Sequence, residues 1–462
     1  MGDAGHDIRL PWSRSDRLVP RVIVRPLQEF LQTSTSSALL LFAAVVVALT
    51  WVNSPWGHTY EEVWTTPVTL RFGSWALAED LRFWVNDGAM TIFFLLVGIE
   101  IKRELTTGEL RRLRAAVLPA VAALGGMVAP ALIFLAVVRG GEGSHGWGIP
   151  MATDIALALG ALALAARHAP PSLKPLLLTL AIVDDIGAIL VIAIVYSHGG
   201  NPEALAVAVL LVLAVVALQR QHVRAILPYV LVGAALWLAT LEAGVHPTIA
   251  GVVLGLLTPA EPFQRPAAVS AEAKRTADET VDDPRPPDAD APAWLHLAWI
   301  SKEAVSPLAR VEHTLLPWSS WVIVPLFALA NAGVDLHVGV LRATLGSAAA
   351  LGIVLGLVLG KPLGILSASA LAVRTRAASL PSDTSWGDLA GLGATAGIGF
   401  TVALFIAELA FERGSSLLAE AKVAILFASM VAGAIGWVVL RIAPDPPTTL
   451  ADSAAAGGRR RP

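Results

Sequence analysis

The sequence predicts an all-α polytopic membrane protein. Of its 462 residues, 55% are hydrophobic and only 15% are charged. The mean hydropathy of +0.67 is well above that of an ordinary soluble domain. Apolar stretches, most of them near the length of about 20 residues that a helix needs to cross a bilayer, alternate with short polar loops. Together these observations predict about 12 transmembrane helices.

The predicted spans follow one another along most of the chain. The eighth is shorter than a bilayer crossing normally requires. In order, they cover residues 37–52, 83–101, 115–138, a stretch starting near Trp147, 176–195, 203–218, 226–241, 245–257, 314–333, 347–373, 388–411 and 417–440.

Polar segments divide these spans into two groups. A cytoplasmic arm, 1–29, precedes helices 1–8 in 30–259, and a polar connector, 260–312, precedes helices 9–12 in 313–441. The connector contains VDDPRPPDADAP and is expected to be disordered, with an interfacial segment at 294–300. The tail, 442–462, is also expected to be disordered and cytoplasmic. Alternation at 68–72 followed by glycine predicts a short hairpin outside the membrane.

The charge pattern fixes a predicted orientation. Most of the 33 lysines and arginines fall in alternate loops, which places both termini in the cytoplasm. The net charge of −3, without a basic stripe, gives no indication of nucleic-acid binding. The absence of cysteine excludes disulfides, thiolate metal sites and thiol nucleophiles.

Two adjacent acids interrupt the fifth span. Asp184 and Asp185 lie near the middle of LLLTLAIVDDIGAILVIAIV, where each carboxylate costs about 2.5–3.5 kcal/mol on insertion scales. They point about 100° apart on a helix, so they have different neighbours. Their hard oxygen donors suit protons and ions such as Na⁺ or Li⁺. The alternative interpretation is a buried polar pair that only fixes packing against a basic partner.

Two further spans carry signs of interruption. Thr153 and Asp154 follow Pro150 inside the fourth span, and GLGATAGIGF (391–400) lies inside the eleventh. Two interrupted helices that cross at mid-membrane expose helix ends, which Asp154 and Lys361 can compensate. The alternatives are that the glycines only permit close packing and that Lys361 forms a structural ion pair.

Eight motifs now point in one direction. They are NDGAMTIFFLLVGIEIKREL (86–105), ATDIALALG (152–160), LAIVDDIGAI (180–189), GVHPTIAG (244–251), LARVEHTLLPW (308–318), PLFALANAG (325–333), GKPLGI (360–365) and GIGFTVALFIA (397–407). In these motifs and their order, the chain resembles the NhaA-type bacterial sodium/proton antiporters. The connector is longer than that family requires.

The resemblance implies a twelve-span fold with two inverted three-helix repeats and broken helices that cross near the ion site. It implies that Asp185 is the principal cation ligand and proton carrier, assisted by Asp184 and Thr153. Asp154 would balance helix-end dipoles, and Lys361 would pair with Asp184 or with the helix ends. No cofactor is implied; the partners are Na⁺, Li⁺, H⁺, membrane lipids and a second copy bound through the 64–80 hairpin.

The resemblance also implies activation at alkaline pH. The family's sensor cluster corresponds to five residues here: Glu100, Glu104, His246, Glu312 and His313. The alternative is that these are ordinary solvated charges at helix ends. His246 in particular falls at a predicted outer end, where an interfacial histidine is equally expected.

The predicted function is Na⁺(Li⁺)/H⁺ antiport across the bacterial cell membrane, driven by the membrane potential, and the chain is not expected to be an enzyme. A sodium-coupled organic-solute symporter of similar architecture is the alternative. An intramembrane aspartyl protease is disfavoured, because its two carboxylates come from two helices whereas this pair lies on one. A membrane protein that transports nothing is opposed only by the buried charges.

Overall fold

The computed structural model describes residues 34–73, 75–165, 170–197, 200–281 and 290–442. Regular structure in these ranges is almost entirely helical, which confirms the predicted all-α membrane fold. The predicted arm, 1–29, and the tail after residue 442 lie outside the described residues.

The first half of the chain begins with a bent helix pair and a hairpin. A 3₁₀ segment, Glu142–Met151, precedes the fifth helix. In chain order the elements are α1 (Ser34–Val52), α2 (Gly57–Trp64), β1 (Pro67–Phe72), β2 (Trp75–Asp80), α3 (Leu81–Thr106), α4 (Leu113–Val138), α5 (Ile155–Ala165), α6 (Leu173–Val195), α7 (Pro202–Arg220), α8 (Ile226–Glu242) and α9 (Thr248–Leu257).

The second half begins with two connector helices. Short π-helical turns interrupt α3, at Trp84–Ala89, and two long helices of this half, at Ser319–Ile323 and Gly356–Gly360. The elements are α10 (Pro266–Val281), α11 (Ala291–Glu303), α12 (Pro307–Asn331), α13 (Val338–Gly346), α14 (Ala348–Arg374), α15 (Trp386–Ala396), α16 (Phe400–Ala410) and α17 (Ser416–Ile442).

Seven of the described helices are long and apolar enough to cross a membrane. The number of candidate spans rises to as many as ten if each bent helix pair is counted as one span. The shorter apolar helices α8 and α9 coincide with the predicted seventh and eighth spans. Every predicted span therefore has a helical counterpart, while the count of twelve and the inverted repeats stay predictions.

The connector departs from expectation. Disorder was the prediction for 260–312, and this is wrong for α10 and α11, which are regular helices. The first is rich in alanine, and Arg275 lies within ion-pair distance of Glu272 and Glu279, one turn away on either side. The ninth span also begins earlier than residue 314, because the Ser306 hydroxyl caps a helix that opens on Pro307.

The strand pairing of the predicted hairpin is confirmed, whereas its place outside the membrane stays a prediction. Strands β1 and β2 pair antiparallel, with Pro67 opposite Asp80 and Leu70 opposite Leu77. Val68 and Leu70 on β1 are exposed. The hairpin therefore has exposed apolar side chains.

The core surrounds α16. All residues from Phe400 to Ala407 are buried, which is expected of a helix that is apolar on every side. The short α9 packs closely on α3, because a Cβ on Gly255 would overlap the backbone of Leu95. Such close approach lets a helix of 10 residues keep its place.

Candidate ion-binding site

The first interrupted helix breaks at Ala152, Thr153 and Asp154. The 3₁₀ segment ends at Met151, the backbone of Ala152 is extended, and α5 starts at Ile155. The axes on the two sides of the break differ by 48°. Because proline cannot donate a backbone hydrogen bond, Pro150 favours this interruption.

The second interrupted helix breaks between α15 and α16. Gly397 to Gly399 separate the two halves, whose axes differ by 44°. Gly397 lies so near the carbonyl oxygen of Leu357 on α14 that a Cβ would overlap it. Glycine is thus required for the break to pack against α14.

The two breaks are bonded directly to each other. The backbone N–H of Asp154 donates to the carbonyl of Ile398 at 2.7 Å. The Thr153 hydroxyl lies 2.9 Å from the carbonyl oxygen of Ala396. Backbone groups that a continuous helix would satisfy internally are therefore satisfied by the other broken helix.

The Asp154 carboxylate lies between two helix N-termini. Its Oδ1 accepts the backbone N–H of Leu157, in the first turn of α5, at 3.0 Å. Its Oδ2 accepts the backbone N–H of Thr401, in the first turn of α16, at 3.1 Å, and the Thr401 hydroxyl at 2.6 Å. A negative charge stabilises both positive helix ends. Thr401 lies in a motif noted from the sequence but was not assigned a role there.

Lys361 joins the breaks to the acidic helix α6. It is fully buried, its Nζ donates to the Thr153 hydroxyl at 2.7 Å, and it forms an ion pair with Asp184. It follows the π-helical turn of α14 and precedes Pro362. A wider turn accommodates the carbonyl that proline leaves without a helical donor.

Asp184 is held on one side only. Its Oδ2 meets Lys361 and lies 2.6 Å from the Thr153 hydroxyl. The single proton of Thr153 can serve either this oxygen or the carbonyl of Ala396. Its Oδ1 is buried and has no hydrogen-bond partner among the described residues.

Asp185, one residue further, has a different environment. It is 5% exposed, and its side chain makes no hydrogen bond or ion pair within the described part of the chain. The carboxylates of Glu100, Asp184 and Asp154 are near enough to act on its charge. A buried acid without a fixed partner can accept a cation or a proton.

The acids do not form a ready-made metal cage. Within the ranges that the structure describes, no three histidine or acidic side chains are close enough to hold a metal ion together. A cation near Asp185 would need hydroxyl, backbone or water oxygens as further ligands.

The predicted sensor residues separate into two places. Glu104 on α3 accepts the backbone N–H of Glu109 at 2.8 Å and the Thr179 hydroxyl of α6 at 3.1 Å. Arg103, also on α3, pairs with Glu312 of α12, and the neighbouring His313 is exposed. These contacts join three helices at one end of α3.

His246 lies at the other end of α3. Its Nε2 is 3.3 Å from Asp87 Oδ1, and its Nδ1 is 2.9 Å from the Thr248 hydroxyl. Asp87 and Glu104 are one helix length apart, about 25 Å at 1.5 Å per residue. The structure therefore does not bring His246 together with the other four residues. Asp87 was visible in the sequence but received no role.

Buried charges at the crossing of two broken helices, in a polytopic helical membrane protein, define the class of ion-coupled secondary transporters. The family model described as Na⁺/H⁺ antiporter 1 matches residues 28–440, and the chain belongs to that family.

Curated relatives agree over nearly the whole chain. A Na⁺/H⁺ antiporter NhaA 2 from Sorangium cellulosum is 47% identical over 443 residues, covering 93% of each chain. A Na⁺/H⁺ antiporter NhaA from Anaeromyxobacter sp. is 46% identical and covers 91% of this chain and 92% of its own length. One from Janthinobacterium sp. is 44% identical, with coverage of 89% and 91%.

Proposed function

We propose that this chain exchanges cytoplasmic Na⁺ or Li⁺ for external protons across the bacterial cell membrane. The family and the names of its relatives support sodium/proton antiport, and they give no support to the organic-solute symporter. The exchange serves sodium and pH homeostasis of the cytoplasm.

One observation carries the assignment of the site. Asp184 is tied to Lys361 and Thr153, whereas its neighbour Asp185 is buried without a partner among the described residues. Asp185 is therefore the acid at which a cation and a proton compete. Asp184 and Thr153 supply further oxygens, and Lys361 holds Asp184 in place and can release it when the site reorganises.

Competition at one carboxylate couples the two fluxes. Protonated from the outside, the site loses its attraction for Na⁺; deprotonated from the cytoplasm, it accepts Na⁺ again. Exchange of more protons than sodium ions moves net charge, and each charge crossing 100 mV is worth about 2.3 kcal/mol. The membrane potential then drives sodium export.

Alkaline activation is assigned to the inner end of α3. Glu100, Glu104, Glu312 and His313 lie on α3 and α12, and the Arg103–Glu312 ion pair joins the two helices. A change of protonation there shifts the contact between α3, α6 and α12. His246 belongs to the outer end, and any role that it has in pH response is exerted from there.

The proposed orientation has both termini in the cytoplasm, as the distribution of basic residues indicates. The hairpin, with its exposed Val68 and Leu70, is the proposed contact between two protomers in the lipid bilayer.

Everted membrane vesicles test the assignment. A pH gradient is established, Na⁺ is added, and its dissipation is measured for Asp185→Asn and Asp184→Asn. Both variants are expected to lose the response. Asp335→Asn, which alters an exposed carboxylate, is the matched control and is expected to keep it. Retained exchange in both site variants would reject the proposed site.

A further inference from the structure

The connector forms a helical hairpin whose two arms expose different chemistry. Helices α10 and α11 pack against each other. On α10 the outward face carries Ala271, Lys274, Arg275 and Asp278, as expected of a helix in water. The outward face of α11, in contrast, is mostly apolar.

The face of α11 that packs against the protein is narrow and apolar. Ala293, Leu297, Ile300 and Ala304 recur at helical spacing and are buried or half-buried. The opposite face presents Trp294, Leu295, Ala298 and Trp299, with exposed fractions of 46%, 71% and 49% for Trp294, Leu295 and Trp299. Lys302 is the one charged side chain on this face of α11.

Three contacts fix where α11 lies. Arg224, in the loop between α7 and α8, pairs with Glu303 at 2.5 Å, and its guanidinium lies over the Trp299 ring at 5.1 Å. The backbone N–H of Gln264 donates to the carbonyl of Glu303 at 3.0 Å. The helix is thus attached where α7 ends and α8 begins, at the end of two membrane helices.

Apolar surface continues from this attachment into the membrane region. Ile226, two residues after Arg224, is 71% exposed at the start of α8. Only 17% of the apolar stretch of α7 is buried within the protein. Lipid therefore reaches the place to which α11 is attached.

We infer that α11 lies flat in the headgroup region of the bilayer, on the side that holds the connector. Trp294 and Leu295 face the acyl chains, and Trp299, with the Arg224 guanidinium over its ring, lies at the headgroup boundary. Its 13 residues are about 20 Å long, too short to cross a hydrocarbon core of about 30 Å. Tryptophan is enriched at membrane interfaces, and Lys302 can extend its ammonium group to lipid phosphates. The charged α10 then covers α11 on the aqueous side.

Site-directed spin labelling tests this placement. The chain contains no cysteine, so single cysteines can be introduced into the full-length protein without removing native ones. Leu295→Cys and Ala298→Cys report on the outward face of α11, and Ala271→Cys on the outward face of α10 is the matched control. Each labelled variant is checked for retained sodium-dependent exchange and reconstituted into liposomes.

Power saturation with oxygen and with a water-soluble nickel chelate gives the depth of each label. Both labels on α11 are expected about 5–10 Å below the headgroup boundary, with high oxygen and low nickel accessibility. The label at 271 is expected to show the reverse. Equal nickel accessibility at 295 and 271 would place α11 in water and overturn the inference. Exclusion of both reagents with dipolar coupling between protomers would also overturn it, because a second copy would then cover this face.

Discussion

Lys361 and Asp184 form a charged pair without access to water. Both side chains are fully buried, and Thr153 is a further partner of each. Removing one member of a buried pair leaves an uncompensated charge, which generally costs about 3–5 kcal/mol. The stability of the site therefore depends on both members being present.

We expect Lys361→Ala to lower the free energy of unfolding by about 3–5 kcal/mol and to abolish exchange. The double variant Asp184→Asn/Lys361→Met is expected to be more stable than Lys361→Ala, because no lone charge remains. Thermal unfolding in detergent and vesicle exchange are the measurements.

A second buried pair supplies the control for this experiment. Lys422 Nζ lies 2.6 Å from Glu408 Oε1, and both side chains are at least nine-tenths buried. Lys422→Ala is expected to lose comparable stability but to retain sodium-dependent exchange. Loss of exchange in both lysine variants in proportion to stability would show that Lys361 has only a structural role.

Thr401 is the second residue whose loss should be measurable. Thr401→Val removes the 2.6 Å hydrogen bond from its hydroxyl to Asp154 but keeps the backbone bond. Hydrogen bonds to charged groups contribute about 1.5–3 kcal/mol, so a loss of unfolding free energy in that range is expected.

Thr395→Val is the matched control for Thr401. Its hydroxyl donates to the carbonyl of Gly391 in its own helix, with no other partner among the described residues, and the residue is also buried. A smaller loss is expected there. Equal losses in the two variants would mean that the Asp154 contact gives Thr401 no special contribution.

At the scale of elements, the break between α15 and α16 must press closely on α14. Gly397→Ala would place a methyl group against the Leu357 carbonyl. We expect a loss of about 1–3 kcal/mol, typical of overpacking, and a strong decrease in exchange rate. Gly346→Ala, at an exposed position with open space around it, is expected to leave both unchanged. Normal exchange in Gly397→Ala would show that the site tolerates a displaced break.

The two helix breaks were predictable from local sequence, whereas the contacts between the breaks were not. Pro150 and the glycines of 391–400 act within their own segments, so both breaks could be predicted. The bond from Asp154 to Ile398 joins residues far apart in the chain and depends on how the two broken helices pack together. The family resemblance implied Asp184 or the helix ends as the partner of Lys361, and the structure shows Asp184. The residues alone do not decide between Asp184 and Asp185, because that choice depends on the rotation of the helix.

The prediction of a disordered connector was wrong for a different reason. Its composition, rich in proline, alanine and charge, indicated disorder, yet α10 has good helix formers and α11 supplies apolar residues for packing. Composition averages over these two helices and the polar residues between them. Shorter windows would have separated them.

At the scale of the whole molecule, the order of the spans was predictable because hydrophobic length is a one-dimensional property. Which helix ends lie close together in the folded chain was not predictable. His246 was grouped with Glu104 and Glu312, but it pairs with Asp87 at the opposite end of α3. Only the packing of α9 on α3 reveals this.

Assembly can be tested through the hairpin. Replacing 68–79 by a short glycine and serine linker is expected to convert a dimer into a monomer by light scattering, while sodium-dependent exchange persists. Val338→Ser, which alters an exposed apolar residue on α13, should leave the dimer intact. An unchanged mass after replacement of the hairpin would exclude it as the principal contact.

The most direct test of the central claim is the apparent Na⁺ affinity of the purified protein in proteoliposomes, measured across a series of pH values. If one carboxylate binds either Na⁺ or a proton, the Na⁺ concentration for half-maximal exchange rises as pH falls, by up to about tenfold per unit, as mass action requires. Asp185→Asn should abolish the exchange altogether. A Na⁺ affinity that is independent of pH, or exchange that survives in Asp185→Asn, would contradict competition at this site.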